Sequence, residues 1–340
     1  MALAIQRQWN AYVAYLIQSG IGVPSTGAGA SFLPLTGGSG NVTQQSINSI
    51  LVRQDGMTVR GRGGTFATAG QYPSEMQKGN FDNILQAVMR GTFVSGGSLG
   101  GRILTNPAAG SLVRRYFTIE EAELDLNQSQ RYQDCVWTRF DLAAQPNGMF
   151  TITPYWMGTG VGLGLTGITS PAYPNFSAPS YPNSAYIPLA AIDMAILLGP
   201  GPLPGTPVAQ VDITAFQMTV DLGAAVPAVT GSKYSPDVFD GVMQVSLPSL
   251  TVMESDLVTF NDFIAETPLV IEITITEPSP GTGIIKFTLP NFTLGQATKS
   301  DMRRDGGPLT RNIQVPTARV GVDNSGGANP ATMVTIETNY

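Results

Sequence analysis

The pattern of apolar and polar positions predicts a chain built mainly of β-strands. Short runs rich in Val, Ile, Thr and aromatic residues recur between clusters of Gly, Pro, Asn and Asp, which is typical of strands joined by turns. After an opening segment at residues 5–17 and a Gly- and Ser-rich arm from Gly20 to Gly40, the predicted strands of the first half are Ser46–Arg53, Gly56–Arg60, Arg115–Leu126, Tyr132–Leu142 and Met149–Trp156. The pair Asp55-Gly56 and the triplet Pro146-Asn147-Gly148 indicate turns.

One segment of the first half has the period of a helix. Asn80 is a good N-cap, Asp82 favours the first turn, and Gly91 ends the predicted helix Phe81–Arg90. Apolar residues recur on one face at Phe81, Ile84, Leu85, Val88 and Met89. We expect these five side chains to dock the helix onto a sheet.

The second half repeats this order of elements. Two strands, Val211–Asp221 and Val238–Leu247, precede a short helix at about Asp256–Glu266. Extended runs follow at Leu269–Thr276, Ile284–Leu289, Arg311–Val320 and Thr332–Thr338. Repetition of supersecondary order suggests a duplicated domain. We therefore predict domains at residues 1–160 and 187–340, joined by a Gly-, Pro- and Tyr-rich linker at residues 161–186.

Composition favours a self-assembling protein over an enzyme. Of 340 residues only 12% are charged, whereas 39 are Gly and 25 are Pro, a balance typical of β-rich chains that bury surface in an assembly. The formal net charge is −6, which argues against a protein whose main task is to grip phosphate backbones. The two halves differ in sign, since residues 1–150 hold 11 basic and 9 acidic side chains and residues 151–340 hold 7 and 15.

The residue inventory excludes much enzyme chemistry. The chain has no His, and Cys135 is its only cysteine, so Ser-His-Asp and Cys-His nucleophilic sites, His-ligated metals and multi-Cys zinc sites are excluded. We expect no cofactor, no metal and no catalytic centre. Arg7 interrupts the first apolar stretch, and no run of about 18 apolar residues follows. The expected protein is soluble, is not exported and does not span a membrane.

Four weaker motifs have simpler interpretations. Arg60–Gly64 (RGRGG) resembles a fragment of a nucleic-acid-binding segment, but without repetition a mobile loop is the expected structure. Gly160–Gly164 lacks the Gly-Lys-Ser/Thr of a nucleotide-binding loop, and Asp125–Ser129 lacks the later ligands of a calcium loop and is predicted as a turn between strands. The acidic side chains near the second helix are expected on a solvated helix face: Glu254, Asp256, Asp262 and Glu266.

Four segments in order resemble two-domain tail tube proteins of long-tailed bacteriophages. They are Gln45–Gly56 (QSINSILVRQDG), Phe81–Phe93 (FDNILQAVMRGTF), Arg115–Glu120 (RYFTIE) and Ala144–Met149 (AQPNGM). Family members carry N-S-I-x-x-x-R-Q, then a helix Y-D-x-L-L-x-A-x-x-G-T-W, then F-T-I-E and P-N-G. Phe93 stands where the family often has Trp. The C-terminal half matches more weakly, through Phe239–Ser246 and Phe260–Ile264.

This resemblance implies a fold, an assembly and a set of partners. It implies two tandem β-sandwich or barrel-like domains, each flanked by one short helix, in a subunit that forms trimeric, pseudo-sixfold rings. Stacked rings would make a hollow conduit for phage DNA, in contact with the tape measure, tail terminator and tail tip proteins. The expected location is the phage tail of the virion, after assembly in the host bacterial cytoplasm.

A conduit for DNA should have a neutral or negative wall, because basic surfaces attract phosphates through counterion release. Candidate acidic residues for this wall are Glu120, Glu121, Glu123 and Asp125.

Two other functions remain open from the sequence. A capsid or decoration protein would also be β-rich and low in charge. A tail-associated carbohydrate-binding adhesin would use exposed aromatic residues, which here cluster near the linker: Tyr155, Trp156, Tyr173, Tyr181 and Tyr186.

Overall fold

Strands dominate the fold, in agreement with the prediction of a mainly β protein. The structure is a computed structural model that describes residues 5–108, 110–162, 165–167, 176, 179–182, 187–201, 208–210, 213–253, 258–278, 283–302, 307–322 and 332–340. These residues form twenty strands, two α-helices and three short 3-10 turns. The 3-10 turns are Gln8–Asn10, Ala191–Asp193 and Thr317–Arg319.

The N-terminal half, residues 1–160, contains ten strands and the first helix. The strands are β1 Ala11–Ile17, β2 Ser31–Phe32, β3 Ser39–Ile47, β4 Arg62–Gln71, β5 Ser74–Glu75, β6 Val94–Ser95, β7 Arg102–Leu104, β8 Phe117–Glu123, β9 Gln128–Ala144 and β10 Thr151–Gly158. Helix α1, Asp82–Met89, lies between β5 and β6.

The remaining strands follow residue 160. They are β11 Leu165–Gly167, β12 Met194–Pro200, β13 Val208–Gln210, β14 Ile213–Asp221, β15 Gln244–Met253, β16 Leu269–Thr276, β17 Ile284–Phe292, β18 Gln296–Lys299, β19 Thr310–Val315 and β20 Thr335–Thr338. Helix α2, Val258–Ala265, lies between β15 and β16. Strand β11 falls inside the segment predicted as a linker, most of which lies outside the described residues.

The strands form two antiparallel sheets. The larger, of 13 strands, follows the order β18-β19-β15-β14-β9-β10-β4-β3, with five further strands attached off this path. The smaller, of seven strands, follows the order β13-β12-β16-β17-β20-β7-β6. Both sheets therefore combine strands from the two halves of the sequence.

One hydrophobic core joins the two sheets. It includes Trp137 and Phe216 from the larger sheet together with Phe287 and Ile336 from the smaller sheet, all of them almost fully buried. Period-two alternation explains this burial, since β10 alternates half-buried Thr and Tyr with buried Ile and Trp along its length. Burial of apolar surface on this scale is the main force that holds the sheets together.

Two local predictions differ from the structure. The first hairpin pairs β3 with β4, so residues 48–61, predicted partly as strands, form its loop, and Arg62–Gly64 begin β4 instead of lying in a loop. Ladder hydrogen bonds override the turn preference of these glycines, because Ile47 pairs with Arg62 and Ser46 with Gly63. Strand β15 likewise begins six positions after Val238 and extends to Met253.

The division into tandem domains at residues 1–160 and 187–340 stays a prediction, and the sheet topology is compatible with it. Within the residues that the structure describes, no helix has the length and apolar character needed to cross a membrane.

Candidate assembly surfaces

Eight strands in the middle of the larger sheet repeat one arrangement twice. We call the series β3-β4-β10-β9-β14-β15-β19-β18 the eight-strand path. Its first four strands come from residues 1–160 and its last four from residues 187–340. In each half a hairpin comes first, β3-β4 or β14-β15, a short helix follows in the sequence, and two later strands extend the sheet beside the second strand of the hairpin.

The two halves of the eight-strand path meet head to tail. The last strand of the first half, β9, pairs antiparallel with the first strand of the second half, β14, with Ala144 opposite Phe216 and Arg139 opposite Asp221. In the same order, β18 ends the second half and β3 begins the first half. Each of these strands has one paired edge in the described part of the chain, since β3 pairs with β4 alone and β18 with β19 alone. Unpaired strand edges are templates for pairing with another chain.

The hairpin β3-β4 carries an exposed apolar tip. Strand β3 is exposed at eight of its nine positions, and the loop 48–61 presents Ile50 at 95%, Leu51 at 70%, Val52 at 98% and Met57 at 67% exposure. Gly56, with φ of 69°, makes the turn, and its N–H donates to the carbonyl of Arg53. Clustered exposed apolar side chains mark interaction surfaces. We call residues 48–61 the hairpin tip.

Where the four central strands of the eight-strand path lie side by side, the face that points away from the core carries polar and charged side chains. Residues that lie directly opposite one another share a face, and one row across four strands is Thr153, Asp141, Thr219 and Ser246. The next row is Tyr155, Arg139, Asp221 and Gln244. We call these eight residues the polar rows.

Two of the three charged side chains of the polar rows, Arg139 and Asp141, pair with each other, and the third, Asp221, accepts from the Gly223 N–H at 2.7 Å. The guanidinium of Arg139 donates to Asp141 at 2.7 and 2.8 Å, and the Thr219 hydroxyl donates to Oδ1 of Asp141 at 2.8 Å. Arg139 also lies over the ring of Tyr155, 4.8 Å from its centroid. This face was missed from the sequence, although the alternation of polar and apolar residues in 151–158 was its signal.

The four carboxylates predicted to line a lumen lie on or just after β8, which is off the eight-strand path. Glu120 is fully buried and accepts from Oγ of Ser129 at 2.7 Å, so its carboxylate offers no surface of its own to a wall. Glu123 accepts from the Gln128 amide. Asp125 binds Arg7, whose guanidinium holds the pKa of this carboxyl well below its usual range. The place of these carboxylates relative to a lumen stays a prediction.

Glu121 joins three segments. Its Oε1 accepts from the Tyr72 hydroxyl at 2.8 Å and from the Gly40 N–H of β3 at 2.5 Å, and its Oε2 accepts from the Tyr132 hydroxyl at 3.2 Å. Burial raises the pKa of the Glu121 carboxyl, and these three hydrogen bonds partly offset the rise. The carboxylate therefore secures one end of the edge strand β3.

The five apolar residues predicted to dock the first helix are all buried, with exposure of 1% or less: Phe81, Ile84, Leu85, Val88 and Met89. Phe81 occupies the position before the helix, so α1 begins one residue later than predicted. Residues of the C-terminal half reach this region, where the Tyr340 hydroxyl accepts from the Gly79 N–H at 3.2 Å and Lys78 pairs with Glu277 at 3.4 Å.

A second contact between the halves is an ion pair. Arg114 donates to both carboxylate oxygens of Asp237, at 2.9 and 3.0 Å, and the Tyr116 hydroxyl donates to the same carboxylate at 3.1 Å. Bidentate geometry of this kind fixes orientation as well as distance.

The weaker motifs have structural explanations where the structure describes them. Asp125–Ser129 spans the turn from β8 to β9, as predicted, with Asn127 at a φ of 50°. Near the second helix, Glu266 pairs with Arg319 at 2.7 Å, whereas Glu254 and Asp256 lie outside the described residues. Leu163 and Gly164 of the glycine-rich segment 160–164 also lie outside them.

No cluster of three or more potential metal ligands occurs among the described residues. Burial raises the pKa of the Cys135 thiol well above its ordinary value, which disfavours the nucleophilic thiolate.

Of the aromatic residues considered for sugar binding, the three that the structure describes do not form one exposed surface. Trp156 is 1% exposed and belongs to the core, and Tyr155 lies against Arg139. Tyr181 packs on Phe32, with ring centroids 5.1 Å apart. Tyr173 and Tyr186 lie outside the described residues.

Comparison with known proteins identifies a family. The sequence model of the family described as "Phage tail tube protein" matches residues 8–336, nearly the whole chain. No curated protein matches the chain.

Proposed function

The chain belongs to the phage tail tube protein family, and from this premise we propose that it is the major tail tube subunit, which assembles with copies of itself into closed and stacked rings. The observation that carries the proposal is the eight-strand path, in which two sets of four strands meet head to tail at β9 and β14 and leave β3 and β18 as outer edges. We treat residues 1–160 and 187–340 as the two tandem tube domains, connected by residues 161–186.

The pairing of β9 with β14 within one chain suggests how one chain pairs with the next. Since β18 corresponds in order to β9, and β3 to β14, the β18 edge of one copy is suited to pair with the β3 edge of the next. Such a head-to-tail contact closes into a ring when the rotation between repeats fits, and closure removes the exposed edges. Three copies would supply six repeats, which is the basis for a trimeric ring with pseudo-sixfold symmetry.

Stacking of rings needs a second surface, and the hairpin tip fits this requirement. Its side chains Ile50, Leu51 and Val52 expose an apolar area to water in the single chain, and such exposure is unfavourable unless another surface covers it. Burial of this area against the adjacent ring would favour a continuous tube. The tape measure, tail terminator and tail tip proteins are the further partners expected of such a tube.

The polar rows support passage of double-stranded DNA without adhesion. The polar rows carry hydroxyl and amide groups, Arg139 is neutralised by Asp141 at 2.7 Å, and the remaining charged side chain, Asp221, is negative. Such a face provides little counterion-release attraction for phosphates. We propose this face as the lumen lining, in place of a wall made chiefly by the acidic residues on and after β8. The same role places the assembled protein in the tail of the virion.

Electron microscopy of the purified full chain over a range of concentrations tests the proposal. Hollow tubes, or rings with threefold or apparent sixfold symmetry, are the expected result. A particle that stays monomeric at every concentration, and also after addition of tail tip complexes as an initiator of assembly, would overturn it.

A further inference from the structure

Helices α1 and α2 end in the same hydrogen-bonded motif, which fixes how their residues correspond. Arg90 follows α1 with a φ of 52°, and Glu266 follows α2 with a φ of 51°. The Arg90 N–H donates to the Ala87 carbonyl and the Glu266 N–H to the Phe263 carbonyl. The next residue also donates in both cases, from Gly91 to Gln86 and from Thr267 to Asp262. Counted back from this motif, Ile84 corresponds to Phe260 and Val88 to Ile264.

Corresponding positions of the two helices differ sharply in exposure. Ile84 and Val88 are 0% exposed, whereas Phe260 is 39% and Ile264 is 65% exposed. The neighbouring positions follow the same rule, since Leu85 and Met89 are buried while their counterparts Asn261 and Ala265 are exposed. Among the α2 side chains whose burial the structure describes, Phe263 on the opposite side packs against the core. We call Phe260, Asn261, Ile264 and Ala265 the α2 face.

The two helices also differ in their neighbours. Helix α1 packs against β9, the strand at which the N-terminal half meets the C-terminal half, and Tyr340 of the C-terminal half contacts Gly79 just before α1. Helix α2 packs against β18, the corresponding strand at the outer edge. Helix α1 thus lies at a junction between two halves of the chain, and α2 lies at the strand where the next half would begin in a ring.

We propose that the α2 face is buried by the N-terminal half of a second copy of this chain, at the same junction where β18 meets β3 of that copy. This inference rests on the proposed ring assembly and adds a surface that the strand edges alone do not supply. A second copy is the expected occupant. In the proposed ring, the N-terminal half of the next copy, which bears β3, lies beside α2. The C-terminal half of the same chain lies beside α1 in the same way.

The test is substitution of Ile264 in the full chain. Ile264→Asp places a charge on the α2 face, and we expect the critical concentration for ring or tube formation to rise at least about tenfold. The thermal unfolding midpoint of the protomer should stay unchanged, because the side chain is 65% exposed in the single chain. The matched control Ile264→Leu keeps the apolar surface and should assemble as the natural chain does.

Site-specific photo-crosslinking gives an independent measurement. A benzoylphenylalanine in place of Ile264 should produce a dimeric cross-link in assembled material, with the attached peptide inside residues 1–160 of the other copy. If Ile264→Asp assembles at the natural concentration, or the cross-link stays within one chain, the α2 inference is overturned while the tube function stands. If the natural chain forms no rings even after addition of tail tip complexes, the proposed function fails and this inference with it.

Discussion

The hydroxyl of Tyr72 donates a 2.8 Å hydrogen bond to Oε1 of Glu121, which joins the end of β4 to β8. The same oxygen accepts from the Gly40 N–H, and Tyr132 donates to the other carboxylate oxygen. One side chain thus satisfies two tyrosine hydroxyls and a backbone donor of the edge strand. Donors buried without a partner cost more than the net gain of an ordinary hydrogen bond.

Removal of this carboxylate should destabilise the protomer. We expect Glu121→Ala to lower the free energy of unfolding by about 1–3 kcal/mol, because three donors lose their acceptor. Glu121→Gln is the matched control, since its amide oxygen still accepts from Tyr72 and Gly40 while its amide group donates to Tyr132. Urea denaturation followed by tryptophan fluorescence measures both. Equal losses in the two variants would show that charge, not hydrogen bonding, is what the site needs.

A comparison of the natural chain with Glu121→Gln also gives a pH prediction. Burial raises the pKa of Glu121 in the folded state, so the folded protein binds this proton more tightly than the unfolded chain. The resulting stability is fully present below the unfolded pKa of about 4.3 and is lost as the pH rises through the folded value. We expect the natural chain to lose stability relative to Glu121→Gln from about pH 4 upward. Parallel curves of unfolding midpoint against pH would contradict this assignment.

The ion pair between Arg114 and Asp237 should require arginine specifically. Arg114→Lys cannot make both hydrogen bonds, and we expect a loss of about 1 kcal/mol in unfolding free energy, since the pair is partly exposed. Arg53→Lys is the control, because its pair with Asp55 is more exposed and joins residues close in sequence. This control should change stability by less than about 0.5 kcal/mol. Similar losses in both variants would count against a special role for the Arg114 pair.

The sequence predicts the elements of this fold better than the surfaces that they form. Helix α1 and strands β8, β9 and β10 are predictable because their signals are local: an apolar period and a Pro-Asn-Gly turn. The predicted N-cap is wrong, since Phe81 holds that position and the Asn80 amide donates to Gln77 instead. The pairing of β9 with β14 is not predictable in this way, since Ala144 and Phe216 are distant in sequence and their register depends on the assembled sheet.

The candidate surfaces show the same limit. The acidic residues at 120–125 predict one charged wall, and that wall stays a prediction. Local sequence does not show that Glu120 is buried beside Ser129 or that Glu121 accepts hydrogen bonds from tyrosines. Which face of β8 is covered depends on neighbouring strands that local sequence does not specify. The two helices illustrate the same limit. Helices α1 and α2 have similar apolar periods in the sequence, but only the apolar face of α1 is buried in the structure.

The contrast between the helices allows a test with one and the same substitution. Ile84→Ala removes a side chain that is 0% exposed, and we expect a loss of about 2–4 kcal/mol in unfolding free energy from the cavity left in the core. Ile264→Ala removes a side chain that is 65% exposed and should cost the protomer less than about 0.5 kcal/mol. Equal costs would mean that α1 is not docked as the structure describes it.

The hairpin tip should control stacking of rings separately from their closure. Val52 is 98% exposed in the single chain, so Val52→Asp should leave protomer stability unchanged. If the tip contacts an adjacent ring, the buried charge would disfavour stacking, and electron microscopy should show rings or very short tubes in place of long tubes. The control Val52→Ile preserves apolar area at the same position and should give tubes of natural length. Long tubes from Val52→Asp would mean that another surface holds the rings together.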